Sequence, residues 1–206
     1  MLKRKNCCII LASVALFGIY ASAEVTVTYS ADKPSKNVLT DFAPVPEDIN
    51  GLQWRANDNN GRRDVGQSFL VSADTVMVAF SFQSYGNLQG GAARAPFTVR
   101  IYESRDESTI GKIISTQSGT YLTPDSSIAK AWVTFNLEKV PLKANRYYTV
   151  TLAFDRSNVY KQEQVFCAAA KSDYPKGRNW RAEDGAPFAY RSVISGDLAF
   201  SVQVLP

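Results

Sequence analysis

Two short segments put the same recognition chemistry at matching positions. Trp54-Arg55-Ala56-Asn57-Asp58 and Trp180-Arg181-Ala182-Glu183-Asp184 share the pattern W-R-A-x-D. An indole offers a flat apolar face to the C–H groups of a sugar ring, while guanidinium and carboxylate groups hydrogen-bond its hydroxyls. Both segments precede turn-rich stretches, one early in the chain and one late. If the first and last strands of the domain are neighbours, the two segments flank one cleft. The candidate ligand-binding set is therefore Trp54, Arg55, Trp180, Arg181 and Asp184. Tyr85, beside the Gly-rich stretch 86–91, joins it as a loop-borne ring. The competing reading is that each Trp plugs an end of the fold and each Arg stacks on it or pairs with its Asp.

Other chemistries are more restricted. Asn57, Asp58, Asn59, Asn60 and Asp64 bring oxygen donors into one stretch, and calcium takes six to eight oxygens. Asp58, Asn60 and Asp64 are the candidate ligands for a structural calcium, the one cofactor this sequence suggests. The spacing does not match an EF-hand, and Asx-rich turns form without metal. The chain has no His, which removes Ser-His-Asp and Cys-His catalysis and His-ligated zinc. Carboxylate neighbours such as Glu47/Asp48, Asp106/Glu107 and Glu183/Asp184 point to opposite faces if they lie on strands, so they make no catalytic pair there. A lyase using Tyr as acid, with Lys or Arg neutralising a uronate, needs no His. No lyase strand motif and no phosphate-binding loop is present. The expectation is a non-enzyme.

These side chains must be positioned by strands. Five segments alternate with period 2: 76–82, 97–102, 133–137, 148–154 and 198–204. Their apolar positions are 76, 78, 80 and 82; 97, 99 and 101; 133, 135 and 137; 148, 150, 152 and 154; and 198, 200, 202 and 204. Successive strand side chains face opposite ways, so these positions are the expected core. Weaker strands are expected at 24–29, 37–42, 65–71, 112–118 and 164–169. Trp132 falls opposite the core face of its strand. With Tyr102 and Tyr147 it defines a candidate aromatic sheet face, unless a loop or the N-terminal segment covers it. Short strands separated by turn clusters, with no long stretch at helical spacing, predict an all-β antiparallel β-sandwich. Connections longer than hairpin turns favour a jelly roll.

The first 23 residues read as a secretory leader. Lys3, Arg4 and Lys5 precede the apolar run Ile9 to Ile19, and Ala21-Ser22-Ala23 is a cleavage signal. Residues 24–206 then form one domain, exported to the periplasm, cell surface or medium, with no membrane span left after cleavage. The leader carries 3 of the 23 basic residues and none of the 19 acidic ones, so the remaining balance is +1. That removes the electrostatic basis for nucleic-acid binding. Cleavage also removes Cys7 and Cys8. Cys167 is left in an apolar run, as a small buried hydrophobe.

Gly66-Gln67-Ser68-Phe69 opens a longer succession. It continues through Phe97 to Glu103, Trp132 to Leu137 and Val140 to Tyr148, and closes with Gly196-Asp197-Leu198-Ala199-Phe200. This succession, spanning about residues 52–204, resembles secreted bacterial jelly-roll domains of the galactose-binding-like, carbohydrate-binding-module type. The resemblance implies a jelly roll and strengthens the calcium reading. Its motifs are structural, and no sugar-contacting residue carries over. Together these observations point to an exported non-catalytic domain binding a polysaccharide or cell-surface glycan through aromatic stacking. A structural or protein-interaction β-sandwich of adhesin or matrix type is the alternative, and a His-independent polysaccharide lyase the third reading. The oligomeric state is not encoded in any motif.

Overall fold

The computed structural model describes residues 24–44, 48–55, 62–88, 94–122, 124, 128–155, 164–170, 174–183, 189–190 and 196–206. The expected leader, residues 1–23, lies outside these residues, as do Asp58, Asn60 and Asp184. In chain order the strands are β1 (Thr26–Ser30), β2 (Val38–Phe42), β3 (Ile49–Arg55), β4 (Arg63–Val71) and β5 (Thr75–Gln83). The short β6 (Asn87–Leu88) precedes β7 (Arg94–Ser104), β8 (Lys112–Leu122), β9 (Ile128–Ala129) and β10 (Trp132–Leu142). Then come β11 (Arg146–Phe154), β12 (Gln164–Ala170), β13 (Asn179–Glu183), β14 (Ala189–Tyr190) and β15 (Phe200–Val204).

Two antiparallel sheets pack into an all-β sandwich. One has the order β1-β10-β5-β15-β2; the other runs β12-β3-β4-β11-β7-β8, with β13 also pairing β4 and β14 pairing β13. The chain hops between sheets at β2–β3, β4–β5, β10–β11 and β14–β15, and through the two-stranded β6–β9 pair on the way from β5 to β7 and from β8 to β10, so most sheet neighbours are distant in sequence. That winding is the jelly roll. All ten expected strands are present. β3 and β13 were not expected, because Asn50 and Gly51 in one and Asn179 in the other are poor strand formers.

The core sits between the sheets and is built from alternate side chains. Phe97, Val99 and Ile101 on β7 and Tyr148, Val150, Leu152 and Phe154 on β11 are buried as expected. So are Phe80 and Phe82 on β5, Val133 and Phe135 on β10, and Leu198, Phe200 and Val202 at β15. The alternation slips at the start of β5: Met77 is buried, whereas Val76 and Val78 are only partly so. The cause is a register shift on both flanks of that strand. It lies between Asn136 and Val140 on β10 and between Gln203 and Val204 on β15. An irregularity of one residue exchanges the faces of everything beyond it.

At the centre lies Trp54 of β3, fully buried. Its ring stacks on Phe154 at 3.9 Å and meets Phe82, Phe97, Tyr121 and Phe135 edge-on at 5.7 to 6.2 Å. Phe82 and Phe135 belong to one sheet; Phe97, Tyr121 and Phe154 belong to the other, as does Trp54 itself.

β1 and β2 occupy opposite edges of the five-stranded sheet and run parallel. Ser30 ends β1 at the level of Gln83, while Val38 begins β2 near the level of Ala79. The segment 31–37 must therefore cross four strand spacings, about 19 Å, and drop back by about 13 Å. Eight chain steps reach at most about 26–29 Å, so the segment runs almost straight across the sheet's outward side. Lys33, on this strap, pairs with Asp41 of β2. The crossing explains why Ser81 and Ser201, which point outward from the middle of the sheet, are fully buried.

Because Trp54 touches five rings drawn from both sheets, Trp54→Ala should cost about 3–5 kcal/mol. Equilibrium unfolding in urea would show a lower midpoint at unchanged slope. A cost below about 1 kcal/mol would mean that the ring is not central to the core.

Candidate functional site

The two W-R-A segments are brought together, although not as a ligand cleft. Trp54-Arg55 ends β3 and Trp180-Arg181 lies in β13, and both strands pair with β4, converging at Arg63. There the backbone of Arg63 pairs with Arg55 on β3 and with Glu183 on β13. The two indoles part at this point. Trp54 points into the core. Trp180 pairs opposite Gly66, on the other face of β4 from the core residues Val65 and Phe69, and is 4% exposed.

A stacking role for Trp54 and Trp180 needs an open ring face, and both indoles are buried, so their placement as ligand-binding residues is corrected in favour of the competing reading that they fill the fold. The physical reason is area: a Trp ring carries more apolar surface than any other side chain here, and the strands that hold it can bury it. Arg55 is also buried, at 5% exposure, and Arg181 is half-buried. Neither presents an open guanidinium fork to a bulky ligand.

The aromatic sheet face is corrected as well. Trp132 does point away from Val133 and Phe135, but it is 3% exposed and lies on the sheet crossed by the strap. Tyr102 and Tyr147 lie on the other sheet. There Tyr102 pairs with Thr149 and Tyr147 with Ser104, so the two share one face. The three rings cannot form a common patch.

Asp64 does not fit a calcium site. It sits in β4 at 3% exposure, and Arg62 donates to both of its carboxylate oxygens, Nε to Oδ1 at 2.8 Å and Nη2 to Oδ2 at 2.6 Å. A bidentate guanidinium supplies the positive charge that a cation would bring. Among the described residues no group of three or more His, Cys, Asp or Glu side chains is placed to hold a metal. Asp58 and Asn60, the other candidate ligands, and Asp184 lie outside the described residues.

A second buried carboxylate was not singled out in the sequence. Asp197 accepts from Gln67 Nε2 on Oδ1 at 2.7 Å and from the Tyr174 backbone on Oδ2 at 2.6 Å. Gln67 Oε1 in turn accepts from the Leu198 backbone at 2.9 Å. Asn179 Nδ2 adds a bond to the Gly196 carbonyl, and Tyr174 shares a hydroxyl bond with Thr40. The opening Gly66-Gln67 and closing Gly196-Asp197 motifs thus meet in one buried clasp. Its signal in the sequence was a polar residue at an in-facing strand position, next to core Val65 and Phe69. With Asp197 3% exposed and its oxygens taken up inside the fold, the clasp is a structural lock.

Cys167 is free and fully buried. Burial pushes its thiol far above the usual range, so it is inert as a nucleophile.

Tyr85 stands apart. Among the described residues it is the one aromatic side chain that is strongly exposed, at 48%. It follows Ser84, whose backbone N–H donates to Ala131 O at 2.7 Å and which pairs with Cys167. It precedes Gly86, whose positive φ of 78° turns the chain and whose carbonyl accepts from Lys130 N at 2.9 Å. The ring rests on Gly51 of β3: a Cβ there would come within 2.8 Å of Tyr85 Cδ1. The missing side chain leaves the ring a flat seat on the strand backbone. No protein-family model matches this chain, and no curated protein matches it in sequence.

The chain's three Trp residues are 0%, 3% and 4% exposed. Acrylamide should therefore quench their emission weakly, and the emission should lie at the blue end of the Trp range. A strongly quenched, red component would place at least one indole at the surface.

Proposed function

We propose that this is an exported, non-catalytic jelly-roll domain that binds glycan, with Tyr85 as its stacking residue. The observation that carries the reading is the exposed Tyr85 ring, fixed on both sides by backbone hydrogen bonds and seated on Gly51. A ring already held in place loses little freedom on binding, which is the economical way to build a sugar platform. The resemblance to carbohydrate-binding modules and the A-S-A cleavage signal support the same assignment. The engagement of Asp64 and Asp197, the two buried carboxylates among the described residues, inside the fold supports a non-catalytic reading.

The protein-interaction reading has a narrower basis once Trp132, Tyr102 and Tyr147 are separated. Ile113 and Leu122, both on β8 and about half exposed, are what favours it.

Retention on immobilised polysaccharides tests the proposal. The protein should be retarded on at least one glycan. Tyr85→Ala should weaken that retention about tenfold, the equivalent of one stacking contact of about 1.4 kcal/mol. Its unfolding midpoint should not change, as expected for an exposed side chain. Equal retention of the variant removes Tyr85 from the site. Absence of retention on a broad panel, with self-association in light scattering, supports the β8 surface instead.

A further inference from the structure

The strand pair β5–β10 continues past its end into β6–β9. Gln83 pairs with Trp132 in the first ladder, and Asn87 pairs with Ala129 in the second. Between these rungs one side has three residues, 84–86, and the other has two, 130 and 131. The ribbon therefore carries one extra residue, a bulge, and bulges re-aim side chains. Ser84 N–H donates to Ala131 O at 2.7 Å, and Lys130 N–H donates to Gly86 O at 2.9 Å. Tyr85 and Lys130 thus belong to one bonded turn of the ribbon, on chains about 5 Å apart. Lys130 is exposed and makes no ion pair with any described residue. Its backbone lies in the left-handed region, with φ at 49°. The other described residues with positive φ are Asn37, Asn145 and Gly86, the types that tolerate that conformation. Lysine tolerates it poorly, because its Cβ crowds the following carbonyl. Asn or Gly would suit this backbone better, so what the turn gains from lysine is its side chain.

We propose that the ligand of the Tyr85 site is an acidic glycan, whose carboxylate or sulfate is bound by Lys130. The inference rests on the reading of Tyr85 as the stacking residue. A strained backbone position beside an exposed ring is the pattern of a ligand clamp. The two side chains divide the work by their chemistry. The ring face takes the C–H groups of a sugar and has no preference for charge. The lysine supplies a compact cation with three rotatable donors, which suits carboxylate or sulfate without demanding a bidentate fit. No acid among the described residues pairs with it, so its charge is open to a ligand. Backbone hydrogen bonds on both sides of the bulge hold the spacing before binding, so little freedom is lost when a ligand arrives.

Two polymer pairs test this, each offering the same sugar rings with and without charge: polygalacturonate against its full methyl ester, and dextran sulfate against dextran. In low salt the protein should be retained about fivefold more strongly on a charged polymer than on its neutral partner, the size of one exposed ion pair. Salt at about 0.5 M should remove that preference. Lys130→Asn removes the charge and keeps a residue that accepts the left-handed backbone. It should abolish the preference, with retention on the neutral polymer unchanged and the unfolding midpoint unchanged or raised. Lys139→Asn, at an exposed lysine toward the other end of β10, should leave the preference intact. An equal loss in that variant would mean general attraction to basic residues and would overturn the inference. So would a preference that survives in Lys130→Asn, an equal loss on charged and neutral polymers, or a lowered midpoint. No retention on any of the four polymers also overturns it. Tyr85→Ala separates the two readings. If it weakens retention on a neutral polymer, or on another glycan, the stacking residue stands even where the acidic ligand fails.

Discussion

One indole holds the two sheets at their common distance. Trp54 stacks on Phe154 within its own sheet and reaches across to Phe82 and Phe135 of the other. Its Nε1–H is buried and has no hydrogen-bond partner among the described residues. An unmade bond of that kind costs about 1–3 kcal/mol, so the ring's apolar contacts must outweigh it. Burying a large aromatic side chain, together with several ring–ring contacts, supplies that margin. The one described Cys is free, so no disulfide among the described residues shares that load and stability depends on such burial.

The rest of the architecture follows from closing that core. The long edges of both sheets would be open to pairing with other chains. β1 seals one side through Val25 and Gly119. On the other side, β12 reaches the five-stranded sheet's extensions through Ser84–Cys167 and Ala169–Leu198. The strap at 31–37 covers the hydroxyl-lined outer face, and the Gln67–Asp197 clasp locks the last strand to β4. Among the described residues Tyr85 is the aromatic ring that stands clear of this framework.

The fold was legible in the sequence because period-2 alternation marks five strands, β5, β7, β10, β11 and β15. It failed only where two register shifts flank Met77, since a bulge leaves no mark in composition. The site was less legible. The W-R-A repeat correctly paired two segments, which meet at Arg63, but residue type does not say which face of a strand a Trp occupies. Leu52 and Trp54, two apart, carried the signal for a core strand; Asn50 and Gly51 obscured it. Gly51, which reads as a strand breaker, turns out to be the seat of Tyr85. The clasp between Gln67 and Asp197 joins residues 130 apart, a distance no local pattern can bridge.

The account stands or falls on where the Trp54 indole is. Hydrogen exchange of its Nε1–H, followed by NMR across a series of denaturant concentrations, reads this directly. Locked among rings of both sheets, that proton should exchange only when the whole domain unfolds, with the free energy and denaturant dependence of global unfolding. Exchange that is fast and indifferent to denaturant would put the indole within reach of water. The interior described here would then be wrong, and Trp54 would return as a binding residue.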